Sequence, residues 1–238
     1  MNGATDENGR GLSYLSAQAL HYLFFAIRGQ QFLRRRASLG GSHWPAFGVP
    51  GAGIALTIDD GPHPEWTPRM LDLLARHQVR ATFFLIGDRV REQPELARRV
   101  LAAGHTIGNH SMSHPQPFAA LSRQRMRAEI SGTQDEIADA TGVRPRLFRA
   151  PGGNWSRDVL RTTADLGLSA VDWTVNPSDW RSPGVHRITR TLSRGRAGQV
   201  LLCHDGGGDR SQTVEALETV LPRLLDRGLR FVTPDGGR

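Results

Sequence analysis

At 238 residues, with 38% hydrophobic and 22% charged side chains, the chain is long enough for one domain with a complete core and too apolar to be disordered throughout. All 30 basic residues are arginine, so the net charge of +7 comes with no lysine for Schiff-base chemistry, and the single cysteine, Cys203, excludes an internal disulfide. The arginines are spread along the chain rather than gathered on one aromatic-interleaved stripe, which speaks against a nucleic-acid partner.

Residues 11–29, GLSYLSAQALHYLFFAIRG, set Leu12, Leu15, Ala19, Leu23 and Ile27 near helical spacing and predict an amphipathic helix. Gln18 and His21 make it too polar for a membrane span. Packing on the domain is the plain reading; contact with a membrane surface, helped by Arg34, Arg35 and Arg36, is the alternative. Acidic Asp6 and Glu7 precede this helix and no small-residue cleavage site follows it, so the expected compartment is the cytoplasm, with the envelope or secretion as the alternative. A Gly-, Pro- and Ser-rich connector over 34–53 leads onward, dividing the chain into an N-terminal unit, 1–50, and a main domain, 51–238. The oligomeric state is not legible.

Beyond the connector, short apolar runs alternate with helical patterns. Candidate strands cover 54–58, 81–86, 105–109, 146–149, 170–175, 199–204 and 230–232. Helical patterns cover 67–77, 94–104, 157–167 and 213–228, and several end in glycine. Alternation of this kind predicts an α/β fold with about seven parallel strands closed into a (β/α) barrel, behind an N-terminal helical extension. In a barrel the chemistry gathers where strands end at their C-terminal side.

The polar residues at those ends are Asp59 and Asp60, His110 and His114, Arg149, Asp179 and His204. In NHSMSH the histidines stand four apart, a spacing that puts both rings on one side of a helical turn. With a carboxylate from a neighbouring strand end they suit Zn²⁺ with open positions, and the same set suits a non-haem Fe(II) oxygenase. Side chains alternate along a strand, so Asp59 and Asp60 are poorly placed to share one proton. One can ligate a metal while the other stays free as a base, with Gly61 and Pro62 turning the chain so that both reach one mouth. Cys203 lies in an apolar strand and reads as core; His63 reads as a neighbour of the site, His105 and Asn109 as hydrogen-bonding support, Asp205 as local structure, and Trp155 as a residue able to line the cleft.

Five segments in order, TIDDGPHPEWTP, GHTIGNHSMSH, RAPGG, SDW and VLLCHD, make the region from Gly53 to Pro234 resemble the polysaccharide deacetylases of carbohydrate esterase family 4, which share a chitooligosaccharide deacetylase homology domain. The resemblance implies a distorted (β/α) barrel and a hydrolase that removes acetyl groups from N-acetylated sugars by attack of a metal-bound water. It implies Asp60, His110 and His114 as ligands of a divalent metal, Zn²⁺ first and Co²⁺ or Ni²⁺ as alternatives. Asp59 would be the general base, oriented by Arg149. His204 would be the general acid, paired with Asp179, while Trp180 and Leu202 would shape the acetyl pocket and Gly152 would offer a main-chain N–H to the oxyanion. The chain departs from the family pattern twice, with Gly152 where an aromatic is usual and Asn176 where an aspartate is usual. An O-acetyl esterase on a xylan-like polymer and a non-catalytic carbohydrate-binding protein are the alternative readings.

Overall fold

The computed structural model describes residues 48–49 and 53–235; the helix expected over 11–29 and most of the connector lie outside them. Among the described residues there are seven parallel strands: β1 (Gly53–Gly61), β2 (Thr82–Leu85), β3 (Thr106–Asn109), β4 (Leu147–Phe148), β5 (Ser169–Ala170), β6 (Val200–His204) and β7 (Arg230–Phe231). Their order is β5-β4-β3-β2-β1-β6, with β7 on the first residues of β1. β1 is flanked on both sides, by β2 and by β6, and its near-continuous burial matches the unbroken apolar run that a covered parallel strand requires.

The expected strand over 170–175 is split. Ser169 and Ala170 pair with β4, whereas Val175 bridges to Leu201 of β6 and accepts the main-chain N–H of Leu202. One short segment thus runs from one edge of the sheet to the other, so the structure is a distorted (β/α) barrel.

Around the sheet lie α1 (Trp66–Arg76), α2 (Gly87–Glu92), α3 (Pro94–Ala102), α4 (Arg123–Thr141), α5 (Arg157–Asp165), α6 (Val185–Leu192) and α7 (Ser211–Asp226). α1 buries Trp66, Met70, Leu73 and Leu74, and α7 buries Ala216, Leu217, Val220, Leu221 and Leu224. These stripes at helical spacing meet Ile54, Leu56 and Ile58 of β1 in the main core. The longest helix, α4, carries no such clear stripe. Its buried face alternates Met126, Ile130 and Ile137 with polar Glu129, Thr133 and Gln134, so apolar periodicity underreports it.

One contact beneath the site depends on a missing side chain. A Cβ on Gly108 of β3 would stand 2.5 Å from the ring of Phe84, whose face carries the Arg149 guanidinium at 4.2 Å. Phe84 is fully buried and has nowhere to retreat. Gly108→Ala is therefore expected to cost about 1–3 kcal/mol through overpacking, read as a lower thermal midpoint; an unchanged midpoint would show that this layer can yield.

Candidate metal centre with an adjoining acid and base

The site is built at the C-terminal ends of β1, β3, β4 and β6. β1 leaves regular pairing at Asp60, where the register to β2 shifts between Asp59 and Gly61 and the backbone takes φ +72. The bend lies at Asp60 itself, one residue before the Gly61-Pro62 step expected to make it. A bulge cancels the alternation of the strand, and both carboxylates come within reach of one histidine. His110 Nε2 stands 3.4 Å from Asp60 Oδ1 and 3.7 Å from Asp59 Oδ2.

His110 and His114 do not share a helical turn. They flank an irregular loop after β3 in which Ser111 and His114 adopt left-handed backbone, φ +66 and +54. The loop returns His114 Nε2 to 3.3 Å from Asp60 Oδ1, so that one ligand atom from each of Asp60, His110 and His114 lies within 4.8 Å of the others. His110 Nδ1 lies 2.9 Å from the carbonyl of Arg149. A carbonyl only accepts, so Nδ1 carries a proton and Nε2 is the nitrogen turned to the cluster. Burial, then the nearby His110, pulls His114 down to about 4, which keeps its ring neutral near pH 7. Burial alone would raise the Asp60 carboxyl, but the surrounding histidines His110, His204 and His114 hold it well below its ordinary value. Asp60 Oδ1 is buried with no hydrogen-bond partner, and it is the oxygen nearest both imidazoles. Two imidazoles, each with a nitrogen turned to the cluster, and one ionised carboxylate with an orphaned oxygen fit a divalent cation.

Asp59 is held apart from that function. Arg149, with no exposed surface, donates through Nη1 to Asp59 Oδ1 at 2.7 Å and to Thr57 Oγ1 at 2.8 Å. Its Nη2 donates to the Asp172 carbonyl at 3.2 Å and its Nε to the Val171 carbonyl at 3.4 Å, between the faces of Phe84 and Trp173. Every branch of the guanidinium is used, which leaves Asp59 Oδ2 as the free oxygen.

A second paired group comes from the neighbouring strand. Asp59 on β1 and His204 on β6 are partners in register, and in-register residues on parallel neighbours project to the same face. His204 Nδ1 lies 2.8 Å from Asp179 Oδ1, while Asp179 Oδ2 accepts the His204 main-chain N–H at 2.9 Å and the Thr213 hydroxyl at 3.0 Å. Burial favours a neutral ring, but the charge of Asp179, its hydrogen bond and the charges of Asp60 and Asp59 push His204 up to about 9. At neutral pH it is an imidazolium.

The remaining sequence candidates divide. Trp180, 46% exposed, sits on the same short turn as Asp179 with Arg181 over its ring; Leu202 is buried in β6 beside Thr57. Gly152 occupies a turn at φ +60, where an added side chain would meet Gln116 at 3.2 Å, and its described contacts do not reach the aspartate–histidine cluster. Asn176 accepts the Ser178 N–H at 2.7 Å and shapes the approach to Asp179. Trp155 does not line the cleft through a free indole; it donates to Asp172 at 2.9 Å and packs edge-on against Phe148. His105 accepts the Ala81 N–H at the opposite end of β3, and His63 Nδ1 accepts the N–H groups of Glu65 and Trp66 at the start of α1.

Asp172, Thr67 and Arg89, absent from the sequence reading, also converge here, and Asp205, read as local structure, is among them. Burial raises Asp172 to about 6 and Asp205 to about 7. Thr67 donates to Asp205, and Arg89 donates to the Asp60 carbonyl. A charged residue inside an apolar run, as in AVDW, was the available signal for Asp172. Beside the cluster a cleft of about 430 Å³ opens, lined by Asp60, His114, Ser113, Arg89 and Glu92 among others.

Comparison with known proteins meets this geometry. A family model described as polysaccharide deacetylase matches residues 48–171. A chitooligosaccharide deacetylase of Bradyrhizobium sp. is 45% identical over 198 residues, covering 75% of this chain and 87% of the relative. A peptidoglycan-N-acetylglucosamine deacetylase of Bacillus cereus is 42% identical over 183 residues, covering 76% and 85%. Among solved structures, a family 4 carbohydrate esterase from Streptomyces lividans in complex with acetate superposes with a TM-score of 0.73 at 35% identity, covering 79% of this chain and 96% of that one. With the domain match, these identities over most of both chains, and the shared fold, the chain belongs to the polysaccharide deacetylases of carbohydrate esterase family 4.

Proposed function

We propose that this protein is a metal-dependent deacetylase that hydrolyses the acetamide of N-acetylglucosamine units in chitooligosaccharide or peptidoglycan-type glycan. The observation that carries the reading is the convergence of Asp60, His110 and His114 beside two separately paired groups, Asp59 with Arg149 and His204 with Asp179. The relatives named for these two glycan classes supply the substrate. A divalent cation, Zn²⁺ by the character of its two imidazoles and one carboxylate, would supply Lewis acidity to the acyl oxygen and acidify water.

The rest is the work of side chains. Asp59, fixed through Oδ1 by Arg149, offers Oδ2 to the proton of the attacking water. His204 enters the reaction charged and gives its proton to the sugar nitrogen as the carbon–nitrogen bond breaks, so acetate and a free amine leave. Asp179 keeps the ring in the orientation that donates from Nε2. Gly152 is assigned the oxyanion N–H by its motif position, and Trp180 with Leu202 the walls around the acetyl methyl. A pure binding protein needs neither a free base nor a charged acid, and both are present.

Acetate release from N-acetylglucosamine oligomers, peptidoglycan and O-acetylated xylan tests the reading. Chelation is expected to abolish release, and zinc add-back to restore it. Turnover untouched by a chelator would refute metal dependence, and release from xylan alone would assign the esterase activity instead.

A further inference from the structure

His110 and His114 are held in different ways. The His110 ring is fixed directly by the Arg149 carbonyl, whereas the His114 ring meets Asp60 and is aimed by the course of its loop. That course is unfavourable on its own. Ser111 and His114 both take left-handed backbone, a conformation that non-glycine residues keep only where the surroundings impose it.

Within the loop the His114 N–H donates to Ser111 Oγ at 3.1 Å, and the surroundings that impose the rest of the course are few. On one side, the N–H groups of Gly87 and Asp88 at the start of α2 donate to the carbonyls of Ser111 and Met112. On the other, α4 takes hold. Asn109 links the Ser111 N–H to the Ile130 carbonyl, and Glu129, 2% exposed, accepts the Ser113 N–H through Oε2 and the Ser113 hydroxyl through Oε1, both at 2.9 Å. Arg125 one turn earlier reaches the same carboxylate at 2.8 Å. Ser113 is the residue immediately before His114. Glu129 therefore grips the loop next to the ligand whose ring touches only the other two members of the cluster, Asp60 and His110, among its described contacts.

We infer that Glu129 is a positioning residue for the metal centre, setting the direction of His114 through its two hydrogen bonds to Ser113. The inference rests on the metal-dependent reading above. Because His110 is secured independently, loss of Glu129 loosens one ligand of three and weakens the centre without dismantling it.

Calorimetric titration of zinc into chelator-stripped wild type, Glu129→Ala and Glu129→Gln tests this, with thermal melts confirming that each is folded at the titration temperature. Glu129→Ala is expected to bind zinc about 10–100-fold more weakly, the usual effect of removing a group that orients a ligand. Glu129→Gln can still accept the Ser113 N–H and can donate to its hydroxyl, and it is expected to recover most of the affinity. A folded Glu129→Ala with wild-type zinc affinity overturns the inference, even if its melting point is lower, because that is what a purely structural role predicts. Should Glu129→Ala fail to fold, Glu129→Asp carries the test: its carboxylate stands one methylene short, and wild-type affinity there overturns the inference equally. A wild type that binds no zinc fails the metal-dependent reading itself, and so is distinct from either result.

Discussion

An Asp59→Asn enzyme is expected to release acetate about 10²–10⁴-fold more slowly than wild type, the contribution a positioned general base makes. Asparagine keeps the size of the side chain and an oxygen for Arg149, but it cannot take a proton from water. Zinc binding should persist, because the three clustered donor atoms come from Asp60, His110 and His114. The substitution also leaves the guanidinium of Arg149, without exposed surface, lacking its carboxylate. Removing one member of a buried pair costs of order 3–5 kcal/mol, and the retained bonds to Thr57, Asp172 and Val171 place this case at the lower end, a drop of roughly 6–12 °C in melting point. Activity is therefore compared well below the lowered melting point. A rate within tenfold of wild type there would remove Asp59 from the base role.

The second large effect belongs to His204. Its pKa, raised to about 9 against an ordinary 6.5, keeps it protonated across the neutral range. The rate constant kcat/KM should accordingly hold through neutral pH and fall about tenfold per pH unit above 9, as the acid form is lost. His204→Gln should lower kcat by about 10²–10⁴-fold and erase that alkaline limb. A limb that survives the substitution would assign it to another group. Stability carries the same signature. A pKa raised on folding means that the His204–Asp179 pair contributes fully below pH 6.5 and loses its contribution as pH rises through about 9. The melting-point gap between wild type and His204→Gln should therefore narrow across that window.

Particular residues show how far the sequence reading reached. β1, β2 and β6 were legible because each is a short apolar or β-branched run, whereas the expected run 170–175 is divided between β5 and a bridge to β6. Helices with a clean apolar stripe, α1 and α7, were legible for the same reason. α4 was not, since Glu129, Thr133 and Gln134 occupy half of its buried face and make hydrogen bonds there that a hydropathy pattern counts as solvent exposure. The H-x-x-x-H spacing pointed to the two histidines that the structure brings together with Asp60, but through the wrong conformation. Two left-handed residues in a fastened loop achieve the same convergence as a helical turn.

What the amino-acid sequence determined by itself is therefore local: the alternation of elements, the ends of the strands, and the donor types gathered there. What only the tertiary structure decided is convergence. Arg149 reaches Asp59 across 90 residues, and Asp179 reaches His204 across 25, because sheet order and register bring those positions together. The bulge at Asp60 reverses the alternation that would have separated it from Asp59, and the Arg149 carbonyl selects which nitrogen of His110 faces the cluster. The physical reason is range. Propensity and periodicity act over a few residues, whereas the direction of a buried donor or charge is set by partners that the chain brings in from elsewhere.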